Sequence, residues 1–228
     1  MQTICPVPTA LQTVQNPGCP ENIGQIQKII FQRASANFVF DSTAGKDIKL
    51  LATWTTLLAA ADSTKVVIAP NCNGVTISAP TPITTGGNDN STLNGRKLNT
   101  GFSSVEVKGQ FRSMPSEIIA QLKLLQYGED LTWIGANQFG QFVARDIYPG
   151  HPGTNVVGFP LYSLFFGDAG NDGYAKDDMA DFAFGMDYDW RSFIAQNSAG
   201  VITSQYQLIL VRPTDFNALT QLKAVQET

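Results

Sequence analysis

Charge, histidine and cysteine are all scarce in this chain, and each shortage removes a class of function. Asp, Glu, Lys and Arg make up 15% of the 228 residues, against about 25% in ordinary soluble proteins. The net charge is −4, and Arg96-Lys97 is the only adjacent basic pair. Tight nucleic-acid binding needs a basic patch to neutralise phosphates, and none is present. A weakly acidic surface would instead let nucleic acid pass without sticking. His151 is the single histidine, so a histidine-built metal site is not expected. The three cysteines, Cys5, Cys19 and Cys72, suit neither a disulfide framework nor a zinc site. They read as reduced cytosolic thiols, with Cys5–Cys19 pairing open under oxidising conditions. No apolar run reaches the 18 or so residues that a membrane helix needs. The N-terminal MQTICPVPTALQTV has neither a basic start nor an apolar core, so no secretory signal is expected.

What is abundant is uncharged. Hydrophobic residues make up 43% of the chain, enough for a sizeable core in one large domain or two small ones. Thr, Ser, Asn and Gln must then supply the polar surface. Like-charge repulsion is weak on such a surface, which suits a subunit that neighbours will cover.

The most distinctive segment is SAPTPITTGGNDNSTLNGRKLNTGFSSVEVKG, residues 78–109. Strand-like runs at 66–77 and 105–111 flank it. Compact domains seldom hold connections longer than about 12–15 residues without a reason. Residues 79–104 therefore read as a long polar hairpin arm that orders against a partner. Gly86, Asn90, Leu93, Arg96, Lys97, Leu98 and Phe102 are its candidate assembly residues.

Elsewhere the pattern is that of an α+β protein, mainly an antiparallel β-sandwich or open barrel with two or three flanking helices. Residues 1–22 form an extended N-terminal arm, because Pro6, Pro8, Pro17 and Pro20 prevent regular helix. Residues 23–228 form a single β-rich domain. Ile26–Phe31 and Phe38–Phe40 begin the sheet. Asp47 is the expected N-cap of a helix with Ile48, Leu51, Trp54, Leu57 and Leu58 on one face. Val66–Ile68 is a buried strand that Val75 and Ile77 resume after Pro70. Val105, Val107 and Phe111 alternate with polar residues as a half-buried strand. Ser113 caps a second helix, with Pro115 in its first turn and Glu117 at its positive end.

Further on, 131–134 and 141–147 are strands around the turn 135–140. Residues 159–166 form a strand placed at an edge by Pro160. Phe182, Phe184, Met186, Tyr188 and Trp190 form the clearest strand, with Asp187 and Asp189 on its other face. Residues 206–211 return antiparallel, and Asp215 caps a last helix over 216–225.

Catalytic and ligand-binding patterns are incomplete. His151 lies in Tyr-Pro-Gly-His-Pro-Gly without a nucleophile at a telling distance, and reads as an exposed loop residue. Asp168, Asp172 and Gly173 match the first, fifth and sixth positions of a calcium loop, but Gly170 and Met179 replace two ligands. An irregular site of Asp168, Asn171, Asp172 and Asp177 is the alternative to a solvated acidic turn. Glu129-Asp130, Asp177-Asp178 and Asp187/Asp189 are carboxylate pairs, yet glycoside hydrolysis needs a set separation that adjacent strand residues do not provide. Thr85-Gly86-Gly87 lacks the Gly-Lys-Ser/Thr of a phosphate loop. Trp133, Tyr188 and Trp190 are candidate sugar platforms. No catalytic residue, cofactor or metal is assigned.

The proline-rich arm, the strand-to-helix passage Gly109-Gln-Phe-Arg-Ser-Met-Pro-Ser-Glu117, the long polar hairpin and the antiparallel strands resemble structural proteins of tailed phages. Tail-tube subunits are the nearest in organisation. That resemblance implies a non-enzymatic virion protein, assembled in the host cytoplasm as a homo-oligomeric ring or tube. It also implies contacts with other virion proteins, passage of DNA without tight binding, and no membrane. Residues 79–104 would be the stacking arm and 1–22 an inter-ring arm. A capsid decoration or head-to-tail connector protein is the alternative of the same kind. A glycan-binding β module and a carboxylate hydrolase are alternatives of other kinds.

Overall fold

A computed structural model describes residues 22–34, 39–87, 95–128, 130–147, 155–170, 178–196 and 202–222. The first half of the chain contributes β1 (Ile26–Arg33), α1 (Leu51–Ala59), β2 (Val66–Ile68), β3 (Cys72–Ile77), β4 (Pro82–Thr85), β5 (Leu98–Phe102), β6 (Val105–Arg112) and α2 (Ser116–Leu125). The second half contributes β7 (Leu131–Asn137), β8 (Phe142–Asp146), β9 (Val156–Val157), β10 (Phe159–Gly170), β11 (Met179–Met186), β12 (Ser192–Gln196) and β13 (Ile202–Val211). The expected antiparallel α+β sandwich is what forms. Every strand pairing is antiparallel.

Two layers share a core. The inner layer runs β2-β1-β7 and continues through β8 to β13 and β12, with β9 against β8. The outer layer runs β10-β11-β6-β3. β6 shows why an outer strand alternates. Val105, Val107, Gly109 and Phe111 face the core, while Glu106, Lys108, Gln110 and Arg112 face outward. Phe31 and Trp133 of the inner layer meet Phe184 of the outer layer at ring-centroid distances of 6.4 and 5.4 Å. Gly109 keeps a gap that the Phe182 ring fills, since a Cβ there would lie 2.5 Å from that ring. α2 covers one side of this core with Ile119 and Leu122.

β1, β7 and β8 are buried on both faces, which explains their near-continuous apolar runs. Ile29 and Phe31 point into the sandwich, and Ile30 points the other way. On that second face α1 supplies Trp54 and Leu57, and the last described stretch supplies Ala218 and Leu222. The Trp54 indole lies between Phe40 and Phe142, 5.0 and 4.8 Å away, and donates to the Ile48 carbonyl at 2.8 Å.

β10 joins the layers. Phe159–Leu161 pair with β7, whereas Tyr162 onward pairs with β11. The change falls between Leu161 and Tyr162, just before Ser163, whose φ is +53°, a conformation that non-glycine residues seldom adopt. Just before it, Gly158 passes so close to β7 that a Cβ would lie 2.8 Å from Thr132 Oγ1.

Several local expectations are corrected. Pro160 does not mark an edge strand, because β10 spans two layers; its missing N–H falls where β7 is the only described partner. Residues 66–77 are two strands in different layers, β2 on β1 and β3 on β6. Phe40 makes a single bridge to Val156 rather than a strand, and Phe38 lies outside the described residues. β7 extends to Asn137, so the following turn is shorter than expected. Residues 167–170 belong to β10, not to a loop. β11 ends at Met186, which leaves Tyr188 and Trp190 in a turn.

Helix ends differ most. Ser113 has a φ of +49° and does not cap α2; Pro115 occupies the N-cap position and its carbonyl accepts from Ile118 and Ile119. Glu117 does stand in the first turn of α2. Asp47 accepts from Lys49 N–H within its own turn. The orphan Leu51 N–H at the start of α1 is instead taken by Asp215 Oδ1 at 3.0 Å, from 164 residues away. Asp215 therefore caps α1, and no helix begins beside it at 216–220. Residues 1–21 and 223–228 lie outside the described residues.

Phe184→Ala removes a ring buried from solvent in the shared core and should cost about 3–5 kcal/mol, read from a urea denaturation midpoint. Asp215→Ala should cost about 1 kcal/mol as a lost cap, while Asp215→Asn, which keeps the acceptor, should recover most of it.

Candidate assembly surface

The hairpin of β4 and β5 projects from the sandwich as a separate two-stranded sheet. Its base is tied down by backbone. Ser78 N–H donates to Glu106 O at 2.9 Å, and Glu106 N–H donates to Ser78 Oγ at 2.8 Å. One step out, Ser103 N–H reaches Thr81 O at 2.8 Å and Thr81 N–H reaches Ser103 Oγ at 2.9 Å. The Thr, Ser and Asn content thus serves local backbone bonds as well as solubility, as in Gly101 N–H to Asn99 Oδ1 at 3.0 Å.

Register assigns the faces. Pro82 pairs with Phe102, Ile83 with Gly101, Thr84 with Asn99 and Thr85 with Leu98, with a bulge between the second and third pairs. Cross-strand partners share a face, and alternate strand residues do too. Pro82 and Phe102 therefore lie on one face, and Ile83 and Leu98 on the other. Phe102 stacks on Tyr188, with ring centroids 5.2 Å apart and planes at 23°. Ile83 is 53% exposed and Leu98 56% exposed, and every β4 side chain is open to solvent. An isolated two-stranded ribbon is marginal in water. This one is held on one face by the body and presents large aliphatic side chains on the other.

The body holds Tyr188 through charge. The turn 187–192 follows β11, with Trp190 N–H on Asp187 O and Ser192 N–H on Asp189 O at 3.3 and 3.1 Å. Asp189 accepts a hydrogen bond from the Tyr206 hydroxyl of β13. The Arg145 guanidinium of β8 stands 4.4 Å over the Tyr206 ring. Burial, with Asp189 added, raises the Tyr206 hydroxyl well above its ordinary value. Burial likewise lowers Arg145 from its usual range, against the pull of Tyr206, Asp187 and Asp189. Arm, turn and inner layer are thus linked from Phe102 through Tyr188 and Asp189 to Tyr206 and Arg145.

Among the assembly candidates, Arg96, Lys97 and Leu98 are exposed on the arm, Gly86 is half-buried in its turn, and Phe102 is committed to Tyr188. Asn90 and Leu93 lie outside the described residues. Ile83 was not among those candidates. Its signal is being the lone large aliphatic residue between Ile77 and Leu93.

Other candidates are displaced from the roles considered for them. Trp133 is fully buried and Trp190 nearly so, so neither is a sugar platform. Asp187 and Asp189 sit in the turn rather than on a strand face. Asp168 lies on β10, paired with Lys123 at 2.5 Å. Among the described residues no three His, Cys, Asp or Glu side chains gather as a metal site, and no helix is long and apolar enough to cross a membrane. His151, Glu129, Asn171, Asp172, Asp177, Cys5 and Cys19 lie outside the described residues. Cys72 is buried, and burial pushes its thiol up, leaving an inert core residue. No family model, curated protein or solved structure matches the chain.

Because the folded Tyr206 holds its proton above the unfolded value of about 10, its contribution is intact below pH 10 and is lost as pH rises beyond it. Absorbance titration should show a tyrosine that ionises above the ordinary range, missing in Tyr206→Phe. Asp189→Asn should move it to lower pH.

Proposed function

We propose that this chain is a structural subunit of a phage-like particle, a tail-tube-like protein that self-assembles into rings or a tube for passage of DNA. Its role is non-enzymatic, its place is the virion, and its partners are copies of itself and other virion proteins. The observation that carries this reading is the outward face of the β4–β5 hairpin, where Ile83 and Leu98 stand in solvent on a ribbon anchored by its opposite face. Large side chains on an extended arm have little use in a monomer, where they only expose apolar area. Covered by a neighbour, they contribute burial at about 25 cal/mol per Å².

The low charge agrees with this. A chain in which 15% of residues are charged offers little repulsion between copies. Among the described strands the outer layer also ends in β3, which pairs with β6 alone. Such an edge invites closure by a neighbour. The buried Trp133 and Trp190 speak against a glycan-binding module. A capsid decoration or connector protein would use the same arm, and differs in needing another protein to dock on.

Light scattering and negative-stain electron microscopy across a concentration series test the proposal. The wild-type protein should form rings, stacks or tubes. Ile83→Ser with Leu98→Ser should keep the melting temperature nearly unchanged, since exposed substitutions cost within about 0.5 kcal/mol, and should remain monomeric. A wild-type protein that stays monomeric at the highest concentration overturns self-assembly and leaves the decoration or connector role.

A further inference from the structure

We infer that the groove along the free edge of β2 is a peptide-binding site that takes an extended acidic segment of a partner polypeptide by strand addition. This inference goes beyond the assembly reading and does not rest on it. The groove has a volume of about 1190 Å³, larger than the roughly 300–1,000 Å³ of small-molecule sites. Its floor is the continuous stretch 66–71, that is β2 and the residues leading to β3. One wall is the end of α1, with Thr55, Leu58 and Ala59; the other is α2 and its approach, with Met114, Ile118, Leu122 and Leu125.

The backbone of β2 is oriented for such a guest. Among the described strands β2 pairs with β1 alone. Ala69 N–H donates to Ile29 O at 2.9 Å, and the register sets Ile30 opposite Ile68 and Phe31 opposite Val67. Hydrogen-bonded and non-hydrogen-bonded pairs alternate in an antiparallel ladder. The Phe31–Val67 pair is therefore bonded, and the amides and carbonyls of Val66 and Ile68 point away from β1, toward the groove. An added strand would bond to them, with the apolar helix walls receiving its side chains.

Charge selects the guest. Among the described residues, Lys28, Lys65 and Arg112 line the groove and no Asp or Glu does; Lys28 and Arg112 also have interactions within the fold, so the exposed Lys65 is the cation most open to a guest. Lys28 is almost wholly buried, and Lys65 stands exposed at the start of β2. A segment carrying carboxylates would gain from these cations, and a basic one would be repelled.

The probe is a fluorescein-labelled peptide of alternating valine and glutamate, read by fluorescence anisotropy on the full-length protein. Saturable binding is expected, absent for the valine–lysine counterpart. N-methylation of alternate peptide nitrogens should abolish it, because the donors of the added strand are gone. Lys65→Glu, an exposed change, should weaken it about five-fold. Gln121→Trp, exposed on α2 and lining the groove, should block it at an unchanged melting temperature. Equal binding of the N-methylated or the lysine peptide overturns the inference. So does saturable uptake of decanoate with no peptide binding, which would make the groove a lipid site.

Discussion

The centre of the inner layer, β1, β7 and β8, is buried on both faces, and that burial dictates what must lie on either side. β1 and β7 carry alternating side chains into two separate clusters, one facing the outer layer and one facing α1. A sheet with two apolar faces cannot stop at a sandwich. It needs a second cover, and α1 with Ala218 and Leu222 provides one. Because that cover draws on residues 51–59 and 218–222, two distant parts of the sequence must meet, and Asp215 capping Leu51 is where they lock. The other face calls for a second sheet. β10 meets that need within one strand by turning from β7 to β11 just before Ser163.

Once those layers are set, their margins become the candidate docking surfaces. α1 ends at Ala59, and β2 follows with three residues that pair, among the described strands, with β1 alone. Its edge is left between two helices. The outer layer needs a connection from β3 to β6, strands that already pair with each other. That pairing requires only a short turn, yet residues 78–104 intervene. The extra length contributes little to the core, since each described β4 and β5 side chain is exposed or half-buried. Chain length that the fold does not use is the physical argument for an arm.

Legibility from sequence followed the range of the forces involved. Period-two burial is a local property, so β6 and the inward Phe182, Phe184 and Met186 of β11 were readable from residues alone. The arm was readable because its composition could not form a core. Features that depend on distant residues were not readable. A local cap rule points to Asp47 for α1, whereas the acceptor came from Asp215. A local edge rule demotes Pro160, whereas β10 tolerates it because the strand changes partners beside it. Tyr188 and Trp190 continue the alternation of β11 on paper. Hydrogen bonding within 187–192 turns the chain away, sending Trp190 inward and Tyr188 onto Phe102. The groove had no sequence signal, since its walls come from α1, β2 and the approach to α2.

The arm and the groove do not serve each other. The arm carries Arg96 and Lys97 beside Leu98, and the groove is lined by Lys28, Lys65 and Arg112. Seating the arm of one copy in the groove of another would bring like charges together in a partly desolvated site, where repulsion is strongest. An uncharged or acidic neighbouring surface suits the arm, and an acidic strand suits the groove. In the proposed assembly, an arm that docks on a different patch of the neighbouring copy makes a heterologous contact, and such copies repeat in one direction until rotation closes a ring or leaves an open stack. The groove then remains available on every copy for a different chain. A protomer with these two surfaces can join its own kind through one and hold a second protein through the other, without either contact competing for the same residues.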